Sequence, residues 1–359
     1  MQRNGYNNTN NFLQAMSSQL HILMTGAGAP GAAGIIKCLR EVPGVKIFAA
    51  DRSKEAYGRL LCDQFTTLPD ALSPNFVDET LAFCKANEIQ ILLPLVTREL
   101  LPLSIAKQRF SDNGITVLVS DMEELSIAND KGMLYQALSD KGIAHPSFFR
   151  VNSWFQMHKA IQDLGYPHVP VVIKPCVSNG LRGFRVVQAA INEHDLLLNH
   201  KPDNHFITLR KLEEIFANNT MPDFVVSEFL PGKEYTVDVL AQNGKVLQVI
   251  PRERVAMSSG ISTKGVIENH REIIDYVTQI VSALKLDWIV GVQVKEDVNG
   301  QYKIVEINPR IQGTTVACLG AGINFPALAI ELVRNKQFTY KEPEWGVKFV
   351  RHWQVVFYK

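Results

Sequence analysis

Five cysteines in 359 residues (Cys38, Cys62, Cys84, Cys176 and Cys318) lie far apart and form no CxxC pair. An odd, scattered set argues against a disulfide framework or a zinc ribbon and favours reduced thiols. The nine histidines show no HxxxH spacing, which argues against a histidine-based metal site. No apolar run approaches the length of a membrane span. Neither sign of charge dominates: 37 Lys and Arg stand against 36 Asp and Glu, a formal +1. That balance gives no global pull toward nucleic acid or an anionic membrane surface. Internal repeats and low-complexity linkers are absent. Residues 1–19 are Asn-rich and lack the apolar centre of a secretory signal, so they are expected to form a flexible tail on a cytoplasmic protein.

What is present is an ordinary globular composition, 46% hydrophobic and 20% charged, in a chain long enough for two or three domains. "LHILMTGAGAPGAAGIIKCLREV" reads as strand, Gly-rich turn and helix, and "VKIFAADRS" as a second strand ending in Asp51. A helical "NFVDETLAFCKANEI", the strand "IQILLPLVT", another helix and the short strand "ITVLVS" complete the region to about residue 120. Strands alternating with helices predict a parallel, doubly wound sheet. After the helical "DMEELSIANDKGMLYQALSDKGI" the pattern changes. "PVVIKP" and "SNGLRGFRVVQ" read as a strand and a Gly-containing hairpin, and residues 189–223 as helices around the polar loop "NHKPDNHF". From "DFVVSEFLPGKEYTVDV" onward the period is mostly two, with hairpin turns at "QNGK" and at Asn299-Gly300, and helices over "HREIIDYVTQIVSALKL" and "INFPALAIELVRN". "VKFVRHWQVVFYK" reads as a last strand.

"GAGAPG", with Gly26, Gly28 and Gly31, has the GxGxxG spacing between a strand and a helix, and Asp51 ends the next strand. That is the dinucleotide fingerprint and admits an NAD(P)-linked oxidoreductase. Against it, Pro30 removes a backbone N–H from the loop that must cradle phosphate. The alternative is that small residues let the first helix pack closely. Thr97 and Glu99 follow "ILLPLV" at a carboxyl end, where open sheets place ligands.

A second constellation lies downstream. Lys131 opens a helix, and Lys174 closes the apolar "VVIKP", a costly place for a cation unless an anion meets it. Ser178, Gly180 and Gly183 form a small loop whose amides suit phosphate oxygens, although hairpin turns use the same residues. "VVSEFLPGKEY" carries Glu228, Phe229 and Leu230 into a turn before Glu234, either a nucleotide hinge or an ordinary strand end. In "GVQVKEDVNGQYKIVEINPR" the hairpin brings Gln293 across from Glu306 and Asn308. These oxygen donors suit Mg²⁺ shared with nucleotide phosphates. Arg310 follows Pro309, placed to stabilise charge on a transferring phosphoryl group. Arg252 and Arg254 alternate onto one strand face, fit to fork a substrate carboxylate. "SSGISTKG", with Lys264, reads as a mobile loop, or with that strand as an exposed basic surface.

The order Lys131, "IKP" with its Gly loop, "SEFLPGKEYTVDV", Gln293 and "EINPR" resembles the ATP-grasp superfamily. More narrowly it is similar to a single synthetase unit of the carbamoyl phosphate synthetase large subunit, in a short stand-alone form. The resemblance spans roughly residues 20–335. It implies a Rossmann-like pre-ATP-grasp domain (20–120), then an α+β ATP-grasp domain (121–335) of two subdomains with mixed and antiparallel sheets. The small nucleotide-binding subdomain covers about 125–228, and residues 336–359 form a C-terminal strand packed on the ATP-grasp domain. It further implies that Lys131 and Lys174 contact nucleotide phosphates, that Glu228, Phe229 and Leu230 form the adenine hinge, and that Glu234 takes the ribose. Gln293, Glu306 and Asn308 would hold Mg²⁺, with Mn²⁺ as a substitute ion, and Arg310 would assist an acyl-phosphate step. The Gly-rich turn would then wall a substrate cleft and serve no NAD. The loop "SNGLRGF" is poorer in glycine than the family's "SxGGxG". The expected activity is an ADP-forming ligase that activates a small-molecule carboxylate as an acyl phosphate for attack by an amine. A homodimer is the family-level expectation, and a nucleotide-binding protein without turnover is the non-enzymatic alternative.

Overall fold

In the computed structural model the described residues are 19–178, 180–200, 205–216 and 219–358. The proposed tail, Asn179 of the Gly loop and the centre of the "NHKPDNHF" loop therefore lie outside them. The described residues group into two compact units, one formed by 19–121, Arg310–Thr339 and 355–358, the other by Met122–Pro309 and Tyr340–Gln354. The segment 310–339 thus clusters with the first unit.

In the first unit, β1 (Leu20–Thr25), β2 (Val45–Asp51), β3 (Gln64–Thr67), β4 (Ile91–Leu93) and β5 (Thr116–Val117) form a parallel sheet in the order β3-β2-β1-β4-β5. β1 and the centre of β2, Ile47 to Ala50, are apolar and buried, as strands covered on both faces must be. The helices are α1 (Ala32–Arg40), α2 (Phe76–Ala86), α3 (Thr97–Ile105) and α4 (Lys107–Ser111). The alternation of strand and helix was readable; β3, only four residues of mixed polarity, was not. Residues 310–339 return with α11 (Ala317–Gly320) and α12 (Phe325–Val333), and α12 packs against α1. The small residues of α1 permit this. A Cβ on Gly31 would stand 2.0 Å from Gly313 Cα, and one on Gly34 2.7 Å from Val316 Cγ1. Gly31 of "GAGAPG" therefore does serve close packing, here against a chain segment almost 300 residues away.

The second unit contains two sheets. The smaller, in the order β6-β10-β7-β8-β9, joins β6 (Phe148–Val151), β7 (Val171–Pro175), β8 (Arg185–Val187), β9 (Phe206–Ile207) and β10 (Phe224–Glu228). It is antiparallel except for the β8–β9 pair. Met157 and Ile161 of α7 (Trp154–Asp163) and Leu212 of α9 (Leu209–Phe216) close its core over Val171, Ile173 and Val226. The larger sheet is fully antiparallel, in the order β15-β14-β11-β12-β13-β16. Its strands are β11 (Glu234–Gln242), β12 (Lys245–Ser258), β13 (Ile261–Ile267), β14 (Trp288–Glu296), β15 (Tyr302–Asn308) and β16 (Lys348–Val350). Its apolar face, Val237, Val239, Val290, Val292, Val294 and Ile304, meets Ile273, Val277 and Ile280 of α10 (Arg271–Ala283), one helical stripe at 3.6-residue spacing. α5 (Met122–Asn129) and α6 (Lys131–Asp140) add Ala128, Leu134 and Tyr135 to that core.

Two sequence expectations are corrected here. The C-terminal strand spans only Lys348–Val350; beyond it Trp353 and Phe357 are exposed, with no partner strand among the described residues to make a ladder. "SSGISTKG" is no irregular loop: β12 and β13 extend through it and leave a two-residue turn, Ser259-Gly260, with φ of 48° and 77°. Positive φ at both central residues is the geometry that suits the right-handed twist of a hairpin.

Candidate nucleotide site

The site grows from three places in the second unit. Asp130 caps α6 by accepting from the Met133 amide at 2.9 Å, and is itself fixed by Arg150, which also pairs with Asp223 at 2.6 Å. This cap places Lys131 at the helix start, where its Nζ lies 3.4 Å from Glu306 Oε2 and donates to the Ser178 carbonyl at 3.3 Å. Lys174, next to last in β7, reaches across to donate to the Tyr135 hydroxyl at 2.7 Å and the Val305 carbonyl at 2.9 Å. Both lysines are buried, with relative exposures of 6% and 5%. Burial, and then the repulsion of Lys131, pull the Lys174 ammonium down to about 7.

β15 supplies the acidic side. Gln293 lies directly opposite Glu306 in the ladder, as the hairpin spacing predicts, and Asn308 donates to Glu306 Oε1 at 3.2 Å. A bulge between Gln293 and Val294 leaves Val305 without a partner residue on β14. Its carbonyl takes Lys174 and Tyr135 instead. The oxygens of Gln293, Glu306 and Asn308 form a hard donor set with one carboxylate. It is too sparse to cage an ion alone and suits Mg²⁺, which keeps waters and phosphate oxygens in its shell.

Arg254 binds these parts together. Its guanidinium donates to Glu234, to Gln293 at 3.0 Å, to Ser262 Oγ at 3.1 Å and to the Gly260 carbonyl at 2.6 Å. Gly260 in turn sits against Leu181 of the Gly loop, where an added Cβ would be 3.0 Å from Leu181 Cγ. The β12–β13 turn and the loop holding Ser178, Gly180 and Gly183 therefore meet at their tips.

Other expectations fare differently. The Glu228 carboxylate is occupied, accepting from the Ser147 amide at 3.0 Å and from Lys303 at 2.6 Å. Arg252 does not fork a substrate as read from the sequence. It shares the face of Arg254 but has no exposure, and its Nε donates to the equally buried Asp238 at 2.6 Å. Lys264 lies exposed on β13, opposite Ala256, where the pairing with β12 shifts register. Arg310 belongs to the first unit, where its Nε donates to Thr97 Oγ1 at 3.1 Å. In the same unit, Asp51 accepts from the Gly28 amide at 2.8 Å and from Ser53 at 2.9 Å. A dinucleotide would need that amide for its phosphate and that carboxylate for its ribose, so the oxidoreductase reading gains no support.

Sequence reasoning missed Tyr135, Lys303, Asp130 and Asp238. Asp130 was findable as an acid directly before a helix start, and Tyr135 as the residue one turn after Lys131. Lys303 and Asp238 carried no local signal.

Two family models match the chain. "ATP-grasp in the biosynthetic pathway with Ter operon" covers residues 220–353, and "PylC-like, N-terminal domain" covers 22–118. Among solved structures, N5-carboxyaminoimidazole synthetase from Staphylococcus aureus superposes with a TM-score of 0.64 at 16% identity, covering 90% of this chain and 80% of that one. Biotin carboxylase from Campylobacter jejuni gives 0.65 at 16% identity, covering 91% and 73%. The L-amino acid ligase from Bacillus licheniformis gives 0.61 at 16%, covering 88% and 74%. At such identities these likenesses speak for the fold.

Proposed function

We propose that the chain, whose residues 220–353 match an ATP-grasp family model, is a Mg²⁺- and ATP-dependent, ADP-forming ligase joining a small-molecule carboxylate to an amine. The observation that carries this reading is the pair of buried lysines, Lys131 and Lys174, set beside Glu306 and Asn308. Two buried lysines face one partly exposed carboxylate, and Lys174 recovers its full charge only at a cost in free energy until an anion arrives.

In the proposed reaction a carboxylate oxygen of the substrate attacks the γ-phosphorus of ATP, the bond from that phosphorus to the bridging oxygen breaks, and ADP leaves. The amine nitrogen then attacks the acyl carbon, loses its proton, and phosphate departs with the electrons of the cleaved C–O bond. Lys131 and Lys174 neutralise phosphate charge, Lys174 being oriented by Tyr135 and the Val305 carbonyl. The backbone of Phe229 and Leu230 receives the base. Glu234 receives the ribose once Arg254 yields part of its hold. Gln293, Glu306 and Asn308 hold Mg²⁺, which when bound screens the charge of the transferring phosphoryl group. Arg310 is proposed to stabilise the acyl-phosphate step.

The test compares thermal unfolding with Mg-ATP, Mg-ADP, NAD⁺ and NADPH. A ligand at about 100 times its Kd adds roughly 2.7 kcal/mol, a shift of degrees. Stabilisation by Mg-ATP that disappears with EDTA and in Glu306→Ala is the expected result. Stabilisation by a nicotinamide nucleotide alone would overturn the reading.

A further inference from the structure

The Arg254 side chain is only 4% exposed, and its guanidinium is divided between two parts of the second unit. One nitrogen, Nη1, donates both to the Glu234 carboxylate and to Gln293 Oε1, the latter at 3.0 Å. The other two face the β12–β13 turn: Nε donates to Ser262 Oγ at 3.1 Å and Nη2 to the Gly260 carbonyl at 2.6 Å. Glu234 and Gln293 are the groups assigned above to the ribose and to Mg²⁺. While Arg254 holds them, neither can offer its full set of lone pairs to a ligand. A fixed cation also stands beside the place a metal ion would enter, and like charges repel.

The turn on the far side of this contact ends a weakly held arm. β16 covers β13 from Val266 to Lys264, and the Arg351 amide adds one bond more, to the Thr263 carbonyl. Beyond Thr263 the arm is a ribbon of two strands, which is marginally stable by itself. Its pairing shifts register twice where it begins, between Arg254 and Ala256 and between Ala256 and Met257, and Val255 and Met257 are exposed. Such bulges disrupt the ladder and bend the strand. At the tip, Gly260 lies against Leu181 of the loop that holds Ser178, Gly180 and Gly183. Arg254 therefore joins the arm to the body of the sheet, and through Gly260 it sets where the arm meets that loop.

We propose that Arg254 is an internal latch, which in the nucleotide-free chain occupies the ribose and metal positions and straps the β12–β13 arm onto the Gly loop, and which a Mg-nucleotide displaces. The ribose hydroxyls take Glu234 and the metal takes Gln293. The guanidinium, left with Ser262 and Gly260, moves with the arm and releases the Gly loop. Arg254 thus opposes nucleotide binding, the reverse of an arginine that serves as a phosphate ligand. The latch rests on the nucleotide reading of this site; the strap between Arg254 and the arm does not.

Hydrogen–deuterium exchange of the arm, residues 255–263, and calorimetric titration with Mg-ADP are compared in the full chain for the wild type and Arg254→Met. In the variant without nucleotide the arm should exchange about tenfold faster, and Mg-ADP should bind about tenfold tighter. In the wild type, adding Mg-ADP should quicken exchange in the arm, whereas a ligand that merely covers a site slows it. Weaker Mg-ADP binding in Arg254→Met would make Arg254 a phosphate ligand, and unchanged binding a purely structural residue; either result overturns the latch. Should Arg254→Met fail to fold, the wild type alone decides, and arm exchange that slows or stays constant at saturating Mg-ADP overturns it equally. Faster arm exchange in Arg254→Met, with Mg-ADP bound by neither protein, would keep the strap but remove nucleotide as its release, and the ligase reading with it. Mg-ADP binding beside an unchanged arm would remove the latch and leave the ligase reading standing, so the two failures are distinguishable.

Discussion

Lys174 Nζ donates to the carbonyl of Val305 at 2.9 Å, joining two residues 131 positions apart. The bond exists because the bulge in β15 leaves Val305 without a partner residue on β14. It fixes the lysine in a place where burial and Lys131 hold its ammonium down to about 7.

An incoming triphosphate should reverse that shift, since an anion favours the charged form. At pH 8 the empty site holds Lys174 largely neutral, so binding Mg-ATP should take up a proton. Calorimetry in buffers of different ionisation enthalpy measures the uptake directly. It should approach one proton in the wild type and vanish in Lys174→Met. Uptake unchanged by that substitution would remove Lys174 from the phosphate site.

Glu99 leads to a prediction of opposite sign. Its carboxyl titrates near 7 in the folded chain, against an ordinary value of 4.5. Between these values the folded state binds more protons than the unfolded one, so this group makes stability fall as pH rises from about 4.5 to 7. Asp51 and Asp70, both acidic, face it and strengthen the effect, while the Thr25 hydroxyl opposes it. Glu99→Gln should remove that decline: its melting temperature should exceed the wild type's at pH 8 and match it near pH 4.5. Parallel curves across the range would contradict a raised carboxyl.

Arg252 and Asp238 form a fully buried ion pair at 2.6 Å. Removing one partner leaves the other buried charge without its ion pair, a loss of about 3–5 kcal/mol. Arg252→Leu and Asp238→Leu should each show this in urea unfolding, while the double variant should recover most of it. A milder loss in Arg252→Leu, together with weakened carboxylate binding, would return Arg252 to the substrate.

Gly31 meets Gly313 backbone to backbone, with room for no further atom. Gly31→Ala should therefore destabilise by about 1–3 kcal/mol, the usual range for an overpacked contact. Ala at Gly44, where nothing lies within 4 Å but φ is +72°, separates strain from crowding. Gly31 itself sits at φ −101°, so a negligible loss in Gly31→Ala would remove crowding as a cause.

Much of the fold was legible because the physics that shapes it is local. The period change after residue 120, the Asn-Gly turns and the buried β1 and β2 all follow from patterns a few residues long. The ladder pairing of Gln293 with Glu306 followed from one hairpin turn. What was not legible depends on distant partners. Arg252 and Arg254 look alike in "RERV", yet one meets Asp238 in the core and the other joins Glu234 and Gln293 in the site. Glu228 looks free in the sequence, yet Lys303 occupies its carboxylate. The bulge that frees Val305 arises from the fit of two strands and leaves no mark in composition.

The return of residues 310–339 to the first unit decides how this protein can be handled. A stop codon after Pro309 would leave α1 with its glycine notch unfilled, and a start at residue 122 would carry that segment away from the sheet it belongs to. Neither half can be obtained by simple truncation. Isolating the nucleotide-binding unit calls for a rewired gene in which a short linker joins 309 directly to 340, while the other unit must be rebuilt by fusing 121 to 310.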